Sequence, residues 1–323
     1  MLRVIGAMAS RWSAAPTAAA AMAALLSAPA VAQQTSDEAE VHVLPVQGNV
    51  YMLVGPLGNT ALQLGDDGVL LVDTQTAELA PKIAERIHER TESPVRYVIV
   101  NTHVHPDHTG GNQVLANMGH EETGVRTEII AHENVLIRMS APPDENAAET
   151  RLSPEGWPTA AYFTPHRDIH FNGEPIEILH QPAAHTDGDS LVFFRRSDVV
   201  STGGIFTPES YPVIDLARGG SVQGVIDALN RIIRIAVPED KQEGGTKVIP
   251  GHGRLCEEAD VVEYRDMVTI IRDRVQALID AGMSLEEVQA ARPSMDYDTE
   301  YGSETGAWTT EMFVEAVYRS LSE

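Results

Sequence analysis

The sequence predicts an α/β fold in which two β-sheets lie face to face and helices cover their outer faces. Three observations predict it: the chain has two β-rich halves, each is followed by amphipathic helical patterns, and no linker-like stretch separates them. Residues 41–323 are therefore read as one domain. With 43% hydrophobic residues and 22% charged, the chain can bury a large core.

Residues 1–32 stand apart. They carry Arg3 and Arg11, no acid, and an Ala-rich apolar run over 18–26 that is too short to span a membrane. Ala30-Val31-Ala32 then supplies small residues at alternate positions, so the segment reads as a signal peptide cleaved after Ala32. The expected location is the periplasm or the exterior. A polar segment, 33–40, precedes the domain, and no later run reaches membrane-spanning length.

Within the domain, 41–55 and 60–72 are rich in Val and Leu, with a turn at Gly65-Asp66-Asp67-Gly68. Leu79, Ile83 and Ile87 recur at intervals of four, with Pro81 in the first turn, which predicts a helix. A strand over 95–100, a helix over 110–118, a strand over 127–131 and a short helix from Glu133 follow. Residues 141–165 hold five prolines, Trp157, Tyr162 and Phe163, and read as a long loop, either a lid over a site or packing. The second half predicts strands at 169–171, 176–179, 191–194 and 199–201, then a helix over 222–235 capped by Ser221. One more strand at 246–249 precedes an apolar helical face from Val261 to Leu278 that stops at Gly282, and Ser284 with Glu287 forms a capping box for another helix.

Charge and cysteine content narrow the chemistry. Lys and Arg number 23 against 47 Asp and Glu, a net charge of −24, so nucleic acid is not an expected partner. Cys256 is the sole cysteine, which excludes an intramolecular disulfide and a Cys-rich zinc module. Any metal site must be built from His and carboxylate.

The densest signal is His103-Val104-His105-Pro106-Asp107-His108, four potential ligands within six residues. If the strand before it continues extended, His103 and His105 face the same side, one pleat apart. Pro106 ends the strand and turns Asp107 and His108 toward the same cavity from another direction. Catalytic zinc usually takes three protein ligands and keeps a position for water, so more donors must come from elsewhere. His185 and His252 sit in strand-exit turns among small residues. The other histidines, 42, 88, 120, 132, 166, 170 and 180, lack this context, although His132 also follows a strand.

His-x-His-x-Asp-His, with His185 80 residues after His105 and His252 67 further on, resembles the metallo-β-lactamase superfamily. The likeness runs from the strand end Leu70-Leu71-Val72-Asp73 through Gly251-His252-Gly253. It implies a four-layer αββα sandwich with the site at one edge of the sheets. It also implies one zinc held by His103, His105 and His185, and a second by Asp107, His108 and His252. Many members carry a bridging Asp, or a Cys ligand, where this sequence has Gly204. The departure argues against a glyoxalase II-like site. It fits the subclass of metallo-β-lactamases whose second zinc is held by Asp, His and His, and it also allows a single zinc.

Zinc lowers the pKa of a bound water to about 7, and the hydroxide would attack a carbonyl that the metal polarises. Under the resemblance Asp107 both binds metal and orients the nucleophile. Asp73 reads either as a carboxylate behind a ligand histidine or as a strand-end turn acid. Asp187 and Asp189, flanking Gly188, are either turn acids or supports of the metal site. The function expected is an exported zinc hydrolase of a small-molecule substrate, a cyclic amide or ester, a β-lactam foremost because export brings enzyme and drug together. The alternatives are a lactone, thioester, phosphate ester or sulfate ester hydrolase, and a non-catalytic zinc-binding protein. The acidity disfavours highly anionic substrates unless zinc reverses the local field.

Overall fold

The computed structural model describes residues 40–91, 96–141 and 153–322. The first sheet is laid down in chain order: β1 (His42–Gln47), β2 (Val50–Gly55), β3 (Gly58–Gly65), β4 (Gly68–Val72), β5 (Tyr97–Val100), β6 (Glu128–His132) and β7 (Ala160–Tyr162). It runs antiparallel from β1 to β4 and parallel from β4 to β7. The second contains β8 (His166–Phe171), β9 (Glu174–His180), β10 (Ser190–Phe194), β11 (Val199–Ser201), β12 (Lys247–Ile249) and β13 (Cys256–Glu257), ordered β13-β12-β11-β10-β9-β8.

Strand β4 shows why the layers stack. All five of its residues are buried, because alternate side chains enter different cores. Leu70 and Val72 join Val98, Val100, Ile178, Val192 and Phe194 between the sheets. Val69 and Leu71 face outward onto Ile83, Ile87 and Leu115, from α1 (Ala80–His88) and from the fourth-position face of a helix over 112–123. Over the second sheet, Leu191, Val200 and Val248 meet Val225, Leu229, Val268, Ile271, Phe313 and Val317. The result is the expected αββα sandwich.

Several local expectations are corrected. The helix expected over 110–118 is α3 (Asn112–Thr123), with Gly111 at its N-cap, and the turn expected before it is a short helix of its own, α2 (Pro106–Thr109), which Pro106 opens. His103 and His105 do not continue the strand, since β5 ends at Val100 and they lie in the bend that follows. Here α2 starts too soon for an extended pleat to continue. The long loop contains β7, which pairs with β6; residues 142–152 of that loop, and the leader with the start of the polar segment, lie outside the described residues. After α4 (Glu133–Ser140), the remaining helices are α5 (Val222–Ile235), α6 (Glu258–Asp280), α7 (Leu285–Ala291), α8 (Asp298–Tyr301) and α9 (Thr310–Ser322). Ser221 caps α5, and Ser284 with Glu287 caps α7, both as read from sequence.

The start of α5 holds the loop that carries His185. Ser221 Oγ accepts from Gly224 N at 2.9 Å and donates to the Ala183 carbonyl at 2.8 Å, while Ser221 N donates to Ala184 O at 3.0 Å. A Cβ at Gly224 would overlap the Ala183 carbonyl oxygen, so a glycine is what lets helix and loop meet. Gly224→Ala gains about 1 kcal/mol of helix propensity, yet the backbone clash outweighs it. The variant is expected to lose about 1–3 kcal/mol of stability in urea unfolding of the metal-free protein; unchanged stability would contradict this packing.

Candidate metal centre

The site begins with Asp73, which leaves β4 with a φ of 66°, a left-handed conformation that Asp tolerates better than most residues. Its Oδ1 accepts from Thr102 N at 2.8 Å, and its Oδ2 accepts from Thr102 Oγ1 at 2.7 Å and from His108 Nδ1 at 2.7 Å. Asn112 ties the same region together, accepting from Thr74 Oγ1 and Asn101 Nδ2 while donating to Asn101 Oδ1. This buried polar lattice fixes the bend 101–105 and the start of α2.

Ring orientation then follows from fixed partners. Thr102 Oγ1 gives its proton to Asp73, so at 3.0 Å it accepts from His103 Nδ1, leaving His103 Nε2 with a free lone pair. His185 Nδ1 donates to the Val213 carbonyl at 2.7 Å, leaving Nε2. His105 Nε2 donates to Asp215 Oδ2 at 2.9 Å, leaving Nδ1. His105 Nδ1 and His185 Nε2 nevertheless face each other at 2.8 Å. One proton held between them satisfies that contact without metal, and a cation bound by both lone pairs together with His103 Nε2 can take its place, so the donor set fits a divalent metal.

Electrostatics point the same way. Burial and the neighbouring imidazoles hold His103 well below the usual histidine range, and burial with the charge of His105 takes His185 down to about 3. Both rings are neutral donors. Burial would lower His108 as well, but Asp73 overcomes it and raises that ring. Burial pushes Asp107 and Asp215 upward; hydrogen bonds and charge from His252 and His108 at the first, and from His105 and Arg218 at the second, override it and hold both well below the carboxylate range.

The expected ligands converge in two groups. His103, His105 and His185 have donor atoms within 4.8 Å of one another, as do Asp107, His108 and His252. Asp73, His103 and His108 form a third such combination, in which Asp73 connects the two. In the second group Asp107 Oδ2 lies 3.1 Å from His252 Nε2 and 3.6 Å from His108 Nε2. The asparagine Asn59 holds the His252 turn by donating to the Pro250 and Gly253 carbonyls at 3.0 and 2.9 Å. At Gly204 an added Cβ would lie 2.5 Å from His185 Cδ2 and 2.8 Å from Nε2. The His185 ring thus lies against the backbone where other members carry a carboxylate.

Two candidate supports lie elsewhere. Asp187 pairs with Arg138 of α4 at 2.8 Å, and Asp189 accepts from Thr186 N and Oγ1 at 2.9 and 2.8 Å. Neither hydrogen-bonds a ligand ring among the described residues; both hold the turn after His185. Burial pushes Asp189 up to about 7. His132 caps α4 and stacks on His180 at 3.5 Å, away from both donor groups. Sequence reading missed Asp215, which is 110 positions from His105, and the Val213 carbonyl, which has no side-chain signature.

Removal of the Asp73 carboxylate should loosen His108 directly and His103 through Thr102. Asp73→Ala is expected to weaken divalent-metal binding by about 10- to 100-fold in a chelator competition titration; wild-type affinity would show that the carboxylate does not orient the donors.

The model of the metallo-beta-lactamase superfamily matches residues 44–252. Among solved structures, the stereoselective inverting sec-alkylsulfatase Pisa1 from Pseudomonas sp. aligns with a TM-score of 0.62 at 18% identity, over 86% of this chain and 50% of its own. A double mutant of the sec-alkylsulfatase PisA1 aligns at 0.65 and 17% identity with the same coverages, 86% and 50%. This chain therefore spans half the length of those alkylsulfatases. A metallo-beta-lactamase from Pontibacter korlensis aligns at 0.55 and 16% identity, over 71% of this chain and 99% of its own. No curated protein matches the sequence. With the αββα layers, the converging His and Asp donors and a family match over most of the domain, the chain belongs to the metallo-beta-lactamase superfamily.

Proposed function

We propose that the protein is an exported zinc-dependent hydrolase of a cyclic amide or ester, with a β-lactam as the leading substrate. The observation that carries the metal-dependent reading is the convergence of His103, His105 and His185, whose donor atoms lie within 4.8 Å of one another while Thr102, Asp215 and Val213 engage their other nitrogens. His103, His105 and His185 would hold one ion, and Asp107, His108 and His252 a second. A bound zinc would supply Lewis acidity, acidifying water and polarising a carbonyl. Asp107 is partly exposed beside His252, where its carboxylate can orient a water and hold a proton as the amide or ester bond opens. Thr102, Asp73 and Asp215 keep the imidazoles aimed while this happens.

The substrate reading draws on two features. A leader with a basic start, apolar centre and Ala30-Val31-Ala32 exit supports export to where such drugs arrive. The Asp-His-His group with Gly204 beside it resembles the site of one metallo-β-lactamase subclass. A sulfate ester is the second reading, favoured by the likeness to two sec-alkylsulfatase structures over 86% of the chain. The net charge of −24 weighs against an anionic sulfate.

Purified mature protein assayed on β-lactams, lactones, thioesters, phosphate esters and sulfate esters decides the substrate. Asp107→Asn is expected to abolish hydrolysis with the fold intact, and His185→Ala to lower zinc content; wild-type turnover in the first or full zinc in the second would overturn the assignment. The mass of the exported protein should correspond to a chain beginning at Gln33, and a retained leader would refute cleavage after Ala32.

A further inference from the structure

We infer that the two donor groups are unequal: His103, His105 and His185 take a divalent cation first, and Asp107, His108 and His252 take a second only at higher concentration. The inference rests on the metal-dependent reading above and decides between one tight ion and an equal pair.

All three rings of the first group are held from behind. His103 is set by Thr102 at 3.0 Å, His185 by the Val213 carbonyl at 2.7 Å, and His105 by Asp215 at 2.9 Å. Asp215 is itself fixed, since its Oδ2 accepts from Arg218 Nη1 at 2.7 Å and its Oδ1 from Arg218 N at 3.0 Å. Its own amide donates to the His185 carbonyl at 3.0 Å. One short turn therefore positions two of the three donors, and Asp215 is a positioning residue for the ion.

In the second group only His108 has such a partner, Asp73. His252 and Asp107 are the open members, with side chains 41% and 35% exposed. They pair with each other at 3.1 Å, a contact that an entering ion must part. Among the described residues, the His252 ring hydrogen-bonds nothing outside the group. Partners behind metal ligands are typically worth about 10- to 100-fold in affinity each, and this group lacks two. Charge adds to the difference. Six donors include one carboxylate, Asp107, and the place where a bridging carboxylate would offset a second dication is Gly204, closed by the His185 ring.

The test is a titration of zinc into metal-free full-length mature protein, read by competition with a chromophoric chelator and repeated with cobalt to follow the ligand-field spectrum of each step. Two steps are expected, separated by about tenfold or more. His252→Ala should erase the second step and leave the first in place. Asp215→Ala should weaken the first by about 10- to 100-fold, and Asp215→Asn, which keeps an oxygen acceptor for His105, should recover most of the loss. Two ions bound with one common affinity overturn the inequality alone, as does a first step lost in His252→Ala. An Asp215→Ala variant that weakens both steps equally overturns the positioning role. No zinc uptake by the wild-type protein overturns the metal-dependent reading itself.

Discussion

The carboxylate of Asp73 holds the bend that carries His103 and His105 and the start of the helix that carries His108. It is 2% exposed, and burying such a group is costly unless its lone pairs are used. They are used by Thr102 twice and by His108 once. The parallel pairing of β4 with β5 makes this possible, because it brings the carboxyl ends of the two strands into register, Val72 opposite Val100, and so sets Asp73 beside Thr102, 29 positions along the chain. A left-handed turn at Asp73 then points the side chain across that gap instead of along the strand. Ser190 N, at the head of β10, donates to the Thr102 carbonyl at 2.8 Å, so the second sheet is joined to the same bend. The metal centre is thus placed by main-chain pairing in both sheets, with one carboxylate converting strand register into imidazole orientation.

Much of this was legible in the sequence, for physical reasons that differ between residues. His103, His105, Asp107 and His108 are close in sequence, so their convergence needs only a bend and a short helix, and the spacing alone brought them to attention. His185 and His252 could be picked out because strand exits with small neighbours leave room for a ring. The stacked sheets followed from two β-rich halves each trailed by helical patterns, and the four-layer αββα order from the family resemblance; the wholly buried β4 agrees with both. What escaped detection depends on long-range geometry. Asp215 acts across 110 residues, and its approach to His105 is set by how the turn before α5 packs on the His185 loop. The short strand β7 has only three residues and lies in a proline-rich stretch, so periodicity had nothing to register. Pro106 was read as the end of a strand running through His105, whereas the strand ends at Val100 and Pro106 opens a helix.

The scaffold also divides labour between rigid and open parts. The donors that face inward, His103, His108 and His185, are almost fully buried, and Asp73, Thr102 and Val213 commit their remaining nitrogens. The outward members, Asp107 and His252, stay accessible, the side from which a small substrate can approach. The chain carries a net charge of −24 while a metal-loaded centre would be locally cationic, so attraction of an anionic ligand would be confined to the immediate neighbourhood of the metal.

The close approach of His185 to Gly204 constrains how this site can change by mutation. A carboxylate at that position cannot be acquired by one codon change while His185 keeps its place, since even the first side-chain carbon meets the ring. The histidine is held by Val213, and its loop by Ser221, so giving way would require further substitutions in the turn before α5. Gaining the acid is therefore coupled to moving the loop: Gly204→Asp without a rearranged loop would displace the His185 ring before it added a ligand.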